Sequence, residues 1–224
     1  MERQLLVVAA AMGLAETKEF MQRNAVDVNK PDQNGSLALH VAVGQGARCH
    51  DVVSYLLEAR ADPLVWNEHH TPAVHVAAWH NDLVVLKQLL RVCPQGVYAI
   101  DGHRETVLHA IVESNRMGRG ANKTPAAIRQ TATWLCEQGA NVCLAVVGLS
   151  GTPLDKARKD DMSDLVELFT DQIQRLLEHY AFVLHVQLGL PKDVTRVVAG
   201  YVVSTADQTP APPPKPRFKS ARNK

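Results

Sequence analysis

Aromatic residues are scarce in this chain: Phe, Trp and Tyr together make up 5% of 224 residues, while Ala, Val and Leu are plentiful. Such a composition suits thin helices packed on small side chains better than a core built on large rings. An excess of one charge is also lacking. Lys and Arg number 24 against 23 Asp and Glu, a net charge of +1, which argues against a globally basic nucleic-acid binder. No apolar run is long enough to span a membrane. The four cysteines, at 49, 93, 136 and 143, show no framework spacing. They read as free thiols on or beside helices and fit a reducing compartment, cytoplasmic or nuclear. Neither Cys-x-x-Cys nor His-Glu-x-x-His occurs, so the common zinc spacings are missing. There is no Gly-rich phosphate loop. Gly148-Leu149-Ser150-Gly151 lacks the last spacing of a nucleophile elbow. No catalytic group and no cofactor is expected.

What the chain has instead is repetition. Leu37-Ala38-Leu39-His40-Val41-Ala42, Ala73-Val74-His75-Val76-Ala77-Ala78 and Thr106-Val107-Leu108-His109-Ala110-Ile111 are near-copies, with histidines 35 and 34 residues apart. Thr152-Pro153-Leu154-Asp155-Lys156-Ala157 is a fourth copy with Asp in place of His. A period in the low thirties means stacked units, each unable to bury its own apolar face alone. Thr before a helix accepts a bond from a free N–H, and Pro fits the first turn, as at Thr71-Pro72, Thr124-Pro125 and Thr152-Pro153. Val52-Val53 with Leu56-Leu57, and Val85-Leu86 with Leu89-Leu90, mark the buried stripe of a second helix in each unit. Gly or Asn after that helix supplies a left-handed cap.

These phrases, with Asp32 and Gly35 before the first, Gly46 within it and Gly139-Ala140-Asn141-Val142 closing the third, resemble the ankyrin repeat. The resemblance covers about residues 2 to 170. A degenerate first unit holds Ala9 to Gly13, Phe20-Met21 and Asp27-Val28-Asn29. Leu5 to Ala15 also resembles a signal-peptide core, but Glu2 cancels Arg3 and the inner-helix reading is preferred. The family implies an all-α solenoid of about five helix-turn-helix repeats, and the residues after it read as C-terminal capping helices and a disordered tail. The expected organisation is a repeat domain over 1–170, a helical cap over 171–203 and a Pro-rich basic tail over 204–224. In this family the repeat histidine bonds backbone of the neighbouring hairpin, so His40, His75 and His109 are read as structural. His69, His70 and His80 near them raise a metal-site or enzyme alternative, which the repeat positions disfavour.

The resemblance further implies a non-catalytic scaffold that binds another protein on its concave surface. Contact residues are expected on the hairpins, at Gln33, Asn34, Trp66, Asn67, His69, His70, His103 and Arg104. The step from His109 to Asp155 is 46 residues, about 13 beyond one unit. That excess is read at Ser114 to Lys123, in the turn between inner and outer helix, with a smaller insertion at Ala47 to Asp51. Arg116, Arg119 and Lys123 make the larger insertion a candidate binding rim.

From Asp164 an amphipathic pattern runs through Leu165, Phe169, Ile173, Leu176, Leu177, Tyr180 and Leu184, as a helix covering the end of the stack. Leu190 to Val202 resembles the opening of an F-box, such as ends poxvirus-type ankyrin proteins. That likeness implies an adaptor alternative, with Leu190, Pro191 and Val194 facing a ubiquitin-ligase subunit. The tail from Thr205 carries a net +4 and leaves the other 204 residues at −3. Its composition cannot offset ordering entropy. Pro210 to Arg217 resembles a ligand of Src-homology-3 domains. Membrane binding is not expected, nucleic acid is disfavoured, and a monomer is expected.

Overall fold

The computed structural model describes residues 2–116, 123–143 and 151–194. They form ten α-helices that pair in chain order. The pairs are α1 (Glu2–Met12) with α2 (Leu14–Arg23), α3 (Ala38–Gly44) with α4 (His50–Glu58), α5 (Ala73–Trp79) with α6 (Leu83–Val92), α7 (Val107–Arg116) with α8 (Pro125–Glu137), and α9 (Pro153–Lys159) with α10 (Ser163–Leu188). The inner helices stack as α1, α3, α5, α7 and α9; the outer helices stack as α2, α4, α6, and again as α8 and α10. This is the expected all-α stack of helix pairs. Strand among the described residues is limited to single bridge positions: the isolated bridges Trp66–Pro72 and Ile100–Thr106 at hairpin bases, and Gly151.

The core follows the repeat phrase. Ala42, Ala77 and Ala78 on the inner helices are fully buried, and their small side chains let neighbouring helices approach. Val52, Val53, Leu56 and Leu57 on α4, and Val85, Leu86, Leu89 and Leu90 on α6, bury one stripe. Ile128, Ala132 and Leu135 continue it on α8, then Leu165, Leu168 and Phe169 on α10. Leu6 and Ala10 of α1 join the same core.

The caps follow the sequence at two of three sites. The Thr124 hydroxyl accepts from the Ala127 N–H, and Thr152 with Asp155 makes a reciprocal capping box at the start of α9. Thr71 does not cap. Pro72 is the cap residue of α5, and the Thr71 hydroxyl donates to the His69 carbonyl instead. The histidine phrase begins one residue later here than at Thr106, so Thr71 stays in the hairpin. Left-handed residues also follow expectation in part. After α8 the left-handed residue is Gly139, with φ 94°, as the Gly-or-Asn rule expects, whereas after α4 it is Arg60, with φ 66°.

Two segments depart from the pattern. Ser114 belongs to α7, and its hydroxyl donates to the Ile111 carbonyl inside the core. Part of the inserted length therefore extends the inner helix by a turn; Arg119 lies outside the described residues, as does the side chain of Arg116. The smaller insertion forms a 3-10 turn, Gly46–Cys49, that buries Cys49. α10 is the second departure. Its first three turns pack on α8 and α9. Its second half outruns the stack, leaving Phe182, Val186 and Leu188 at 64%, 60% and 65% exposure. The amphipathic stripe continues, but no further inner helix among the described residues receives it.

Candidate functional site: the groove between hairpins and inner helices

Each hairpin tip is built by one side chain. The Asp32 Oδ1 accepts the N–H groups of Asn34 and Ser36, both at 2.8 Å. Asn67 Oδ1 accepts those of His69 and Thr71 at 3.0 Å, and Asp101 Oδ1 those of His103 and Glu105 at 2.8 Å. An Asx side chain thus braces the tip beside one backbone bond across it, from the N–H of Asp32, Asn67 and Asp101 to the carbonyls of Ser36, Thr71 and Glu105. Asn67, read from sequence as a contact residue, is buried with its Oδ1 engaged in this turn, and it lines the groove over α5 and α7. Burial raises the Asp101 carboxyl above its ordinary range, opposed by the Glu105 and His103 N–H groups. Three residues on, the chain turns left-handed, at Gly35 (φ 86°), His70 (φ 55°) and Arg104 (φ 66°).

The inner-helix histidines lock each hairpin to the unit before it. The Nε2 of His40 donates to the Thr71 carbonyl at 2.8 Å, His75 to Glu105 at 2.9 Å and His109 to Gly151 at 3.2 Å. Burial pushes the first two imidazoles down to about 4, so they are neutral at pH 7. Their Nδ1 atoms are buried without a partner. His109 differs, because its Nδ1 lies 2.9 Å from the Thr106 hydroxyl and accepts the Thr106 N–H. The residue three before each histidine explains this: Leu37 and Pro72 lack the hydroxyl that Thr106 has.

Between the second and third described hairpins and helices α5 and α7 lies a groove of about 760 Å³. It brings together His69, His103 and Arg104, all exposed, with Val76, Trp79 and Ala110 on the inner helices. Lys123 stands beside it, with Nζ 5.8 Å from the centre of the Trp79 ring. Gln33 and Asn34 are exposed on the preceding tip and do not line the groove. Trp66 and His70 meet edge to face, with Trp66 half-buried. Leu190, half-buried, and Pro191 and Val194, both exposed, follow α10 elsewhere.

One cluster in the groove wall has no signature in the sequence. Lys156 of α9 places Nζ 2.9 Å from Glu105 and 2.8 Å from Glu113. Its side chain is 8% exposed. Only the repeat register, which sets α9 beside α7, shows that residues 51 apart can meet.

The remaining titratable groups are dispersed. His50 pairs with Asp82 at 2.7 Å, and Asp82 also caps α6 through the Val85 N–H. Among the described residues no group of three or more His, Cys, Asp or Glu is placed to hold a metal ion. Burial raises the thiols of Cys49 and Cys93, and that of Cys136 to about 12, so they are protonated at neutral pH. No described helix is long and apolar enough to cross a membrane.

Residues 34–68 match the family model of the ankyrin repeat. That span holds the first tip, α3, α4 and the approach to the second tip. No curated protein matches the chain.

Proposed function

We propose that the protein is a non-catalytic interaction module that holds another protein on the concave face formed by its hairpins and inner helices. The groove over α5 and α7 carries this reading, because it sets exposed tip residues beside a partly buried Trp on the stacked inner helices. The helix pairs and the ankyrin-repeat match over 34–68 support it as a scaffold. Affinity capture with mass spectrometry tests it. Partners recovered by the full chain should be lost from Val76→Arg, which fills the groove, and kept by Gln130→Arg on α8. Partners indifferent to Val76→Arg would place binding elsewhere.

A second reading is a substrate-recruiting adaptor of a ubiquitin ligase, in which the groove holds the target and the chain beyond α10 holds the ligase. Val194 is 45% exposed, which favours it over a purely packed cap. Val197, Val198 and Tyr201, which would complete the docking face, lie outside the described residues, as does the proline-rich tail proposed for Src-homology-3 domains. Val194→Glu should preserve folding and abolish capture of ligase subunits; unchanged capture would remove the adaptor reading.

A further inference from the structure

We propose that the groove over α5 and α7 recognises an acidic peptide segment bearing one large apolar side chain, with the apolar group on Trp79 and Val76 and the carboxylates on Arg104. This rests on the interaction reading above and names the chemistry of its partner.

The apolar half follows from the floor. Val76 and Trp79 are partly buried and packed on the core, so they offer an apolar floor backed by the stack. Apolar floors beside polar rims suit an anchoring side chain.

The acidic half follows from which charges are already engaged. Three carboxylates line the groove, those of Asp101, Glu105 and Glu113. Glu105 turns both oxygens to Lys156, and Glu113 turns one to the same ammonium. Asp101 accepts two backbone N–H groups at the tip. One ammonium is shared by two carboxylates and backbone N–H groups brace the third, so the wall's negative charge is offset in part within the protein. The cations on the rim are not held in that way. Arg104 is exposed and makes no ion pair among the described residues, and Lys123 is stacked over the Trp79 ring. A guanidinium meets a carboxylate with two parallel hydrogen bonds, which gives orientation as well as attraction.

Backbone geometry supplies a variant for the test. Arg104 holds φ 66° where the first tip uses Gly35 at φ 86°. The second tip holds His70 at φ 55° in the same place, so the turn belongs to the tip and a side chain there is disfavoured. Replacing Arg104 by Gly removes the side chain and the strain together, so binding and stability should move in opposite directions.

The test pans a phage-displayed library of random peptides on the full chain, then measures the enriched synthetic peptide against variants by fluorescence anisotropy. Enrichment of Asp or Glu together with Phe, Trp or Leu is expected. Arg104→Glu should weaken the peptide roughly tenfold or more, as loss of a charge-assisted pair implies. Arg104→Gly should weaken it too while leaving the melting temperature unchanged or higher. Enriched peptides without acidic bias, but blocked by Val76→Arg, would overturn the acidic chemistry and leave the groove reading standing. Should Val76→Arg not fold, His69→Asp combined with His103→Asp on the exposed tips replaces it. Binding indifferent to all folded groove variants, or no enrichment at all, would overturn both.

Discussion

The N–H of Gly102 donates to the carbonyl of His70 at 2.8 Å, tying two hairpin tips together. A methyl group on Gly102 would stand 2.6 Å from the His70 Cβ and 3.3 Å from its carbonyl oxygen. Both atoms belong to or sit on backbone, so the tips must separate and the hydrogen bond must break. Gly102→Ala should therefore cost about 1–3 kcal/mol in a urea titration. Gly44→Ala is the control. Nothing lies within 4 Å of that added methyl, at the end of α3. It should be neutral or slightly stabilising. Equal effects of the two substitutions would count against close packing of the tips.

Acid should weaken the stack through His40 and His75. Both are held at about 4 against an ordinary 6.5, because burial disfavours the charged ring. The unfolded chain therefore binds more protons than the folded one between those values. Stability from these groups is fully present above pH 6.5, declines as pH falls toward 4 and levels off below it. The loss should be on the order of 1–3 kcal/mol for each ring. Urea midpoints at pH 7, 6 and 5 measure it. A double variant, His40→Gln with His75→Gln, should show a flatter slope, and an unchanged slope would contradict the assignment.

The stack was legible because its signals are local and repeated. The histidine phrase, the Val-Val and Leu-Leu pairs and the Thr-Pro starts each place a residue on one helix face. Other features depend on distance in space rather than in sequence. Asn67 has the same side-chain type as an exposed loop residue, yet it is buried and its Oδ1 holds the tip. Ser114 looks polar and inserted, yet its hydroxyl bonds within its own helix and is buried. The Glu105–Lys156 contact needs the register of two units before it can be seen. Leu176 and Tyr180 fit the apolar spacing of α10, but spacing does not reveal where the stack ends. They are 36% and 38% exposed for that reason.

His109 should be less sensitive than its counterparts to loss of one polar partner. Its Nδ1 has both the Thr106 hydroxyl and the Thr106 N–H within reach, at 2.9 and 3.1 Å. Thr106→Val keeps the shape and the N–H but removes the hydroxyl. The expected cost is about 1 kcal/mol. His75→Ala removes its bond to the Glu105 carbonyl and opens a cavity, so it should cost about 2–4 kcal/mol. Chemical denaturation of the two variants compares them, and a larger loss for Thr106→Val would reverse the ranking.

Lys156 should matter more than its surface counterparts. It is buried between Glu105, whose side chain is 13% exposed, and Glu113, at 39%. Lys156→Met fills similar volume but leaves the Glu105 carboxylate without its cation. Breaking a buried pair in this way costs about 3 kcal/mol, whereas an exposed pair such as Arg175–Asp171 is worth roughly 0–1 kcal/mol. Glu105→Gln in the Lys156→Met background should recover part of the loss, since the uncompensated charge is then gone. A double-mutant cycle by urea denaturation measures that recovery, and additive losses would show that the pair is not coupled. The same substitution alters the groove. Without the ammonium, Glu105 and Glu113 present their charge to the cleft. Affinity for an acidic peptide should fall in Lys156→Met and return in part when Glu113 is also changed to Gln.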